Sequence, residues 1–455
     1  RGQMMTQKKS FEWIADPEEY EDVLFSETGT HGVMRNGKWT FIDSSGRMLF
    51  PPKFEEIQDF SENGLAPARL GAKWGFTDRG GNFTELPEID AFYSISEDAA
   101  SGEKILSGAK KGKAVYLNSD NKNIFKGFND YDILQYLCRG IAMFRKKGFM
   151  EDIESPHFGI VKSPKKVIVP PEFKWVAYES GLITAAVDDN HYAVYDLDGK
   201  VILPLKRQYV FLVNENLIAR LSPPSRSTGK YSLLDRNGKK RTKNTYNYID
   251  YEYSDGLLIV TREGKTGALD EDLNEAVPCK FESVSRFLNG KAVASWKKKC
   301  GVIDRQGNWL IEPKFKSVGE FRNGFAAAED RTGVFLINPK GEALTAVYSR
   351  IENRMDEEFA LAFREGEKGI FLDIKGKEKS KAVYEATSEL PGKKLVFLLK
   401  NDKWGAVDRQ GKEVLPFIFD KTVYSGEVDY LSEYPYELGN TASVKYNGKF
   451  GILKF

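Results

Sequence analysis

One short phrase returns along this chain at a nearly constant interval. It reads KWTFIDSSG from Lys38, KWGFTDRGG from Lys73, KCGVIDRQG from Lys299 and KWGAVDRQG from Lys403. Successive copies of its Asp position lie 34 to 46 residues apart. Such a period is typical of repeat proteins, in which one unit is copied because it cannot bury its apolar face alone. The positions are Asp43, Asp78, Asn118, Lys162, Asp196, Asp235, Asp270, Asp304, Asn338, Asp373, Asp408 and Lys454.

Each copy contains three strand-like runs. In the clearest copy, residues 47–78, these are MLFPP, GLAPAR and KWGFTD, separated by turn-forming residues. This pattern predicts an all-β protein of tandem three-stranded meander repeats of about 35 residues. We expect about twelve repeats over residues 11–455, weaker and irregular at 86–160. Residues 1–10 are expected to be a disordered, tagged or processed N-terminus.

Two tight turns recur at fixed places in the copies. Asp-x-x-Gly follows the last strand, where the Asp side chain accepts backbone hydrogen bonds and Gly supplies a positive φ. Asn-Gly links the middle and last strands, as in YNGK from Tyr446. A calcium loop at DLDGK from Asp196 is the alternative, but it lacks the closing Glu, so we predict no metal. The structural aspartates are Asp43, Asp78, Asp304 and Asp408.

Trp stands next to Gly in the last strand of two copies, and we call this strand the signature strand. One interpretation is a ring of aromatic platforms for sugars. The other is structural, with an indole packed where a backbone approaches closely. Other copies hold Ala114, Tyr192 or Cys300 at the Trp position, which a shared binding role would hardly tolerate. The predicted structural residues are Trp39, Trp74, Gly75, Gly301, Trp404 and Gly405.

The two ends of the chain carry complementary parts of one repeat. The segment from Ser10 aligns with the run after a signature strand, which we call the return segment, and residues 449–455 form a signature strand. Pairing them would close a ring and shield sheet edges. Ordinary propellers have about 4 to 8 blades, so an open β-superhelix is the alternative. We prefer propeller-like closure.

Composition excludes some functions and leaves others open. Lys and Arg number 67 against 66 Asp and Glu, so no overall field attracts nucleic acid. No apolar run is long enough for a membrane helix. The three histidines show no Cys/His metal spacing or nucleophile–base pattern, so we predict no cofactor and no enzyme activity. Whether Cys138, Cys279 and Cys300 form a disulfide stays open.

Three phrases, KWGFTDRGGNF, KWGAVDRQGKEVLPFIFD and CGVIDRQGNWLIEPKFKSVGEF, resemble the bacterial WG repeat, also called the KWG repeat. The resemblance covers nearly all of the chain from Phe11 and is strongest at 34–86, 264–341 and 400–420. It implies a β-repeat fold in a bacterial protein and supplies no catalytic or ligand residues. The compartment stays open, with a lean towards a periplasmic or secreted protein.

The last interval is the longest, because TVYSGEVDYLSEYPYELGN is inserted from Thr422. Tyrosine provides a large amphipathic contact area with few rotatable bonds. We therefore interpret the inserted loop at 422–440 as a recognition surface, with a cap over the final sheet edge as the alternative. The candidate partner-binding residues are Tyr424, Glu427, Asp429, Tyr430, Tyr434 and Tyr436.

These observations favour a non-catalytic β-repeat scaffold that binds a protein or cell-surface partner through inserted loops. The alternative is a carbohydrate-binding or carbohydrate-cleaving protein, whose two carboxylates would be brought together only by folding. Neither nucleic acid nor a membrane span is expected. The partner's identity and the oligomeric state are left open.

Overall fold

The protein is described here as a computed structural model. The described residues are 11–26, 28–98, 101–128, 131–146, 158–163, 166–225, 227–354, 357–364, 366–388, 394–420, 436–438 and 440–455. They contain no α-helix and form 43 strands, which confirms the all-β prediction.

The first half of the strands runs from the N-terminal segment to residue 222. They are β1 (Glu12–Ala15), β2 (Asp22–Leu24), β3 (His31–Arg35), β4 (Lys38–Ile42), β5 (Glu56–Ile57), β6 (Ala66–Leu70), β7 (Lys73–Thr77), β8 (Phe83–Glu85), β9 (Ala91–Glu97), β10 (Lys104–Lys110), β11 (Lys113–Leu117), β12 (Tyr131–Cys138), β13 (Ile141–Lys146), β14 (Phe158–Lys162), β15 (Lys166–Phe173), β16 (Trp175–Glu179), β17 (Leu182–Asp188), β18 (His191–Asp196), β19 (Val201–Arg207), β20 (Tyr209–Asn214) and β21 (Leu217–Ser222).

The second half continues to the C-terminal segment. They are β22 (Lys230–Asp235), β23 (Tyr248–Ile249), β24 (Leu258–Arg262), β25 (Lys265–Leu269), β26 (Glu275–Phe281), β27 (Ser283–Val284), β28 (Ala292–Trp296), β29 (Lys299–Ile303), β30 (Trp309–Phe315), β31 (Ser317–Val318), β32 (Ala326–Asp330), β33 (Gly333–Ile337), β34 (Arg350–Arg354), β35 (Phe359–Phe363), β36 (Ile370–Asp373), β37 (Ala386–Thr387), β38 (Val396–Lys400), β39 (Lys403–Val407), β40 (Glu413–Asp420), β41 (Tyr436–Leu438), β42 (Thr441–Tyr446) and β43 (Lys449–Lys454).

Within the described residues these strands form twelve small antiparallel sheets. Seven have four strands, in the orders β1-β43-β42-β41, β5-β6-β7-β8, β12-β13-β14-β15, β16-β17-β18-β19, β23-β24-β25-β26, β27-β28-β29-β30 and β37-β38-β39-β40. Five have three strands, in the orders β2-β3-β4, β11-β10-β9, β20-β21-β22, β31-β32-β33 and β34-β35-β36.

The chain divides into two compact units. Unit 1 comprises residues 1–87 and 315–455, and unit 2 comprises residues 88–314. In each unit the core lies between consecutive sheets, because alternate residues of a strand face opposite sides. One such cluster in unit 2 joins residues of β20–β22 and β23–β26, including Phe211, Leu233 and Val260. A cluster of unit 1 joins β37–β40 to β42 and β43 through Phe419 and Val444.

The structure moves the predicted boundary of the repeat by one strand. The run MLFPP was predicted to open a meander, but its segment bonds back to the preceding signature strand, with Leu49 donating to Phe41 and bridges at Met48 and Phe54. The link after it, predicted to be a turn or loop, supplies the short β5. An extended segment can pair only with the edge that is free when it leaves the turn, and that is the signature strand.

One position of the signature strand separates the sheets of four strands from those of three. In the four-stranded sheets the residue three places before the Asp position is small: Gly75, Gly159, Ala193, Gly267, Gly301, Gly405 and Gly451. In the three-stranded sheets it carries a larger side chain: Thr40, Val115, Ser232, Phe335 and Ile370. The return segment runs close over this position, so a side chain larger than that of alanine keeps it from forming a strand.

The termini meet in one sheet of unit 1. β1 pairs antiparallel with β43, with Glu12 opposite Lys454 and Trp13 opposite Leu453. This is the pairing predicted from a chain that begins in a return segment and ends in a signature strand. It satisfies the outer edge of β43, which would otherwise present unpaired backbone groups.

The three cysteines are free thiols, and burial raises the pKa of each of them. Across the described part of the chain, no helix has the length and hydropathy needed to cross a membrane.

Candidate functional site

The structure places the predicted Trp residues within the protein rather than on a shared exposed surface. Trp74 and Trp404 are only 7% and 3% exposed, and Trp39 is half-buried. Rings that are covered in this way cannot stack on a sugar. The indole of Trp404 packs in the cluster of Phe419 and Leu415, which is the core next to the C-terminal sheet.

The predicted glycines lie where the return segment approaches most closely. A Cβ at Gly405 would stand 2.6 Å from the Phe417 ring, and one at Gly75 would collide with the Thr84 carbonyl. At Gly301 the added atom would lie 2.9 Å from the Glu312 carbonyl carbon and nearer still to the Ile311 oxygen. Real Cβ atoms do not tolerate such contacts, so these positions require glycine.

The predicted aspartates all close a turn through their own backbone neighbours. One carboxylate oxygen of Asp304 accepts the N–H groups of Gln306 and Asn308, each at 2.9 Å. Asp43, Asp78 and Asp408 do the same with the residues two and four places on. The hydroxyl of Ser45, followed by backbone donors, lowers the pKa of Asp43 to about 2.

Most of the predicted recognition loop falls outside the described residues. This applies to Tyr424, Glu427, Asp429, Tyr430 and Tyr434. Tyr436 is described through its backbone, which begins β41 and pairs with Ser443. Within the predicted loop at 422–440, residues 436–438 pair with β42 and form a strand.

The junction that carries this loop differs from corresponding junctions in the chain. In three places a single residue joins a return strand to the first strand of the next sheet. These residues are Lys174, Gln208 and Glu282. Between β40 and β41 the same connection takes residues 421–435. Since one residue is enough to join the strands, the additional chain is not needed to build the sheets.

A shallow surface pocket of about 360 Å³ lies beside β40. Two of its residues depart from the usual return strand, because Phe417 and Ile418 stand where β26 has Cys279 and Lys280. Lys400 lies over the Phe417 ring, with its ammonium 5.0 Å from the ring centroid. The lining residues are Lys400, Asn401, Lys403, Glu413, Pro416, Phe417 and Ile418.

The start of the inserted segment is anchored to both neighbouring sheets. Asp420, the last residue of β40, accepts a hydrogen bond from Lys403 at 2.7 Å. Its other oxygen accepts the N–H of Gly448, at the β42–β43 turn, at 2.8 Å. Burial raises the pKa of Asp420, but the Lys403 ammonium and the Gly448 N–H hold it below its ordinary value. The carboxylate is thus charged at neutral pH and fixes the base of the segment.

Sequence analysis missed a carboxylate cap that recurs in the repeats. Glu55, Glu282 and Glu385 accept the N–H of the hairpin tip sixteen residues later, at Gly71, Lys298 and Asn401. The signal was an aromatic–Glu pair just before the first strand in these copies, as at Tyr20–Glu21, Phe54–Glu55, Phe281–Glu282 and Tyr384–Glu385.

A second missed device joins consecutive sheets within each unit. The Arg of the Asp-Arg-x-Gly turn reaches back to the preceding sheet, where Arg79 donates to Thr30 at 2.5 Å and Arg409 to the Glu357 carbonyl. Arg236 donates to the Gly181 carbonyl at 2.6 Å. A planar guanidinium with five donors suits this role, because it can serve several carbonyl groups together.

No group of three or more His, Cys, Asp or Glu side chains in the described ranges is placed to hold a metal ion. The buried histidine, His31, instead accepts the Ser26 N–H at 3.2 Å through Nδ1 and stacks on Phe25. Desolvation lowers the pKa of His31 to about 4.

Comparison with known families agrees with this repeat geometry. The family model for the WG-containing repeat matches residues 39–74, 301–331 and 404–426. The chain contains WG repeats. The match confirms the resemblance seen in the sequence, and all three stretches include a signature strand. No curated protein matches the sequence.

Several solved structures match the chain at low sequence identity. A tricorn protease is 12% identical, with 94% of this chain covering 54% of that one at a TM-score of 0.26. The chain thus spans about half of that protease's length. A eukaryotic initiation factor is 12% identical over 75% of this chain and 92% of its own, at a TM-score of 0.31. The computationally designed Ika8 protein is 10% identical over 71% and 97%, at 0.22.

Proposed function

We propose that this protein is a non-catalytic β-repeat scaffold that binds a protein or cell-surface partner through the segment at residues 421–435. One observation carries the proposal. The connection between β40 and β41 takes fifteen residues, whereas the corresponding connections after β15, β19, β26 and β30 take one, and those after β1 and β8 take six and five. Repeat proteins commonly place binding residues in such insertions, because a loop can change without disturbing the stacked sheets.

The composition of the segment suits recognition of a macromolecule. It contains Tyr424, Tyr430 and Tyr434 together with Glu427 and Asp429. Tyrosine is enriched at interfaces, since its ring contributes contact area and its hydroxyl a hydrogen bond. The acidic residues favour a partner with a basic surface.

The described residues beside the segment support the same proposal. Phe417 and Ile418 form an apolar wall of the pocket next to β40, where Cys279 and Lys280 stand in β26. Asp420 holds the base to two sheets. A partner anchored by the segment could therefore also contact Phe417 and Ile418, which stand on a strand, and ordering a strand on binding costs little entropy.

The test replaces residues 423–434 with a Gly-Ser segment of equal length and retains Asp420 and β41. We expect the melting temperature to fall by less than about 2 °C, because all the strands given above are retained. Affinity purification from the native cell, read by mass spectrometry, should lose the partner that the unchanged chain retains. The purified partner is then titrated against both chains.

A matched control replaces the exposed residues 342–344 of a return segment in unit 1 with Gly and Ser. This variant should retain the partner with unchanged affinity. An identical set of retained proteins for the loop variant and the unchanged chain would overturn the proposal. A similar loss for both variants would also overturn it, because the loop would then have no special role.

We also propose the propeller-like closure preferred from the sequence over an open β-superhelix. Its support is the pairing of β1 with β43, since a ring requires its two ends to share a sheet. Small-angle scattering distinguishes the two forms by their maximum dimension.

The non-catalytic assignment is tested with polysaccharide, ester and phosphoester substrates. Turnover above buffer that disappears with a point variant would contradict it.

A further inference from the structure

The hairpin between β28 and β29 in unit 2 carries an indole next to three lysines. Its tip consists of Trp296, Lys297, Lys298 and Lys299, and all four residues are exposed, Trp296 to 37%. We call these residues the Trp-Lys tip. Trp296 and Lys299 stand directly opposite each other as the last pair before the turn. Opposed residues of an antiparallel pair point to the same face, so the indole and this ammonium share one surface.

The backbone of the tip is in a conformation that lysine seldom adopts. Lys297 and Lys298 have φ angles of 49° and 61°, in the left-handed region. The equivalent second turn residue in two other hairpins of unit 2 is Gly112 or Gly264, which accepts such angles without a steric penalty. Two lysines are therefore held where a less strained pair is available, and strain of this kind is typical of functional positions.

The tip also lacks a charge partner that other copies have. Six signature strands that open with Lys have an acidic residue seventeen places later. The lysines and their acidic counterparts are Lys38 and Glu55, Lys73 and Asp90, Lys113 and Asp130, Lys265 and Glu282, Lys368 and Glu385, and Lys403 and Asp420. Lys38 and Lys403 form ion pairs with these counterparts. Lys299 has a second lysine, Lys316, at that place in the sequence.

A fourth lysine and a buried ring border the indole. The Trp296 ring meets the buried Phe281 ring edge-on, with the centroids 6.4 Å apart at 75°. The Lys280 ammonium lies 5.1 Å from the centroid of the same Phe281 ring. Glu282 contributes one negative charge, and its carboxylate accepts the Lys298 N–H at 3.0 Å. Four lysines and this glutamate together leave three positive charges around the indole.

We propose that the Trp-Lys tip, together with Lys280, binds the surface of an anionic phospholipid membrane. Lysine side chains close to such a surface are attracted by its negative potential, and each adds several-fold to the binding. An indole prefers the membrane–water interface, because its ring is apolar and its N–H is polar. The contact is peripheral and involves no span. It lies in unit 2 and does not rest on the partner surface proposed for residues 421–435.

The shape of the tip favours a membrane over a nucleic acid. A hairpin tip is convex, and a membrane presents many phosphate groups in one plane, so all the lysines can approach it together. Proteins that bind single-stranded nucleic acid usually hold several successive phosphates in a positively charged groove. The near-neutral chain does not weaken this argument, because charges farther away than about 8 Å are largely screened at physiological salt.

The test sediments the full chain with vesicles of phosphatidylcholine that contain about 40% phosphatidylglycerol. We expect half of the protein to bind below about 5 mM accessible lipid at about 50 mM salt. Vesicles of phosphatidylcholine alone should bind at least tenfold more weakly. Equal binding to the two kinds of vesicle, or no binding to either, would overturn the proposal.

The double variant Lys297→Asn/Lys298→Gly gives the tip the Asn-Gly turn that other copies have. It should weaken binding to the anionic vesicles at least tenfold, because two ammonium groups are lost. Its melting temperature should rise by about 2 °C, since the turn is relaxed, so unfolding cannot explain the weaker binding. Trp296→Ser should weaken binding at least threefold, because it removes the interfacial ring.

The matched control is Lys111→Asn/Lys113→Gln. It removes two exposed charges from the β10–β11 hairpin of unit 2, where Lys110 stands at the place of Trp296. Binding should change by less than twofold. Equal weakening by the two double variants would overturn the proposal, since the effect would then reflect net charge. Binding of a single DNA strand of about thirty nucleotides as tightly as the vesicles would overturn the assignment to a membrane.

Discussion

The β20–β22 and β23–β26 sheets follow each other in unit 2 and solve the same problem differently. In β23–β26 the return segment forms a full strand, β26, that pairs with the signature strand. After β22 the return segment only bridges at two points, Leu234 with Lys240 and Tyr231 with Tyr246. The residue facing it is Gly267 in the first case and Ser232 in the second.

This difference shows which residue of the WG pair the geometry requires. At the Trp position of the signature strand, one residue before Ser232 or Gly267, these sheets have Tyr231 and Thr266. Both sheets form without Trp. A residue no larger than alanine accompanies a fourth strand, and Gly267 leaves room for the close approach of β26, since a Cβ there would be 2.7 Å from the Cys279 nitrogen. The aromatic residue contributes packing that other side chains can replace.

Gly267→Val should have the largest effect, because it places a branched side chain against the backbone of β26. We expect a loss of about 4 kcal/mol in unfolding free energy, from overpacking and lost ladder hydrogen bonds. Urea unfolding measures it. Ser232→Val is the control and should change stability by less than about 1 kcal/mol, because this sheet has no fourth strand and Val115 occupies the equivalent position of another three-stranded sheet. Equal losses would refute the role given to the glycine.

The β2–β4 sheet has no fourth strand, and its buried His31 tests whether side-chain packing stabilises such a three-stranded sheet. The pKa of His31 is lowered from 6.5 to about 4, so the unfolded chain binds a proton at a higher pH than the folded protein. The contribution of neutral His31 to the free energy of unfolding is complete above pH 6.5. It decreases by about 3 kcal/mol as the pH falls to 4. In His31→Asn, urea unfolding at pH 7, 5.5 and 4 should show a smaller decrease, and an unchanged slope would count against this assignment.

Arg236 tests the contact that the Arg of the Asp-Arg-x-Gly turn makes with the preceding sheet. The β20–β22 sheet has this Arg, and the β23–β26 sheet lacks it. It donates to the carbonyls of Ser180 and Glu215 at 2.9 and 2.7 Å, whereas the equivalent turn residue of β23–β26 is Glu271. Arg236→Ala should cost about 2 kcal/mol, measured by urea unfolding. Glu271→Ala should cost less than about 0.5 kcal/mol. Similar values for the two variants would mean that this contact contributes nothing to stability.

Asn247 tests the hairpin cap, for which we expect the smallest effect. Its side-chain oxygen accepts the Glu263 N–H at 2.9 Å, whereas Gln208, the equivalent residue before β20, donates to the Tyr192 carbonyl. Asn247→Ala should cost about 1 kcal/mol and speed hydrogen exchange at the hairpin tip. Asn247→Asp preserves the hydrogen-bond acceptor and should leave both the stability and the exchange rate at the hairpin tip unchanged. Unchanged exchange in the Ala variant would exclude the cap.

Features set by near neighbours could be predicted from the sequence, and those set by distant pairing could not. The Asp304 turn is closed within four residues, so its motif was readable. The assignment of MLFPP to the wrong repeat arose because a strand-like run does not reveal which neighbour it pairs with. The cap from Glu282 spans sixteen residues, and only its aromatic–Glu signal is local.

The candidate sites divide in the same way. The insertion after β40 was visible as a break in the period, although its end in β41 was not. The ion pair between Arg286 and Asp250 in unit 2 left no local pattern, because the two residues lie 36 positions apart and meet only once two sheets are stacked. Exposure of Trp296 likewise depends on what covers it in the folded protein.

The amino-acid order alone determined the period, the strands and the tight turns, because these depend on alternation and on hydrogen bonds between residues close in the chain. Folding decided which edge each return segment occupies, how β1 meets β43 and which charged groups come together between sheets, as Arg286 and Asp250 do. The reason is physical. Backbone edges and buried charges are satisfied by whatever lies next to them in space, and that neighbour exists only after the sheets have packed.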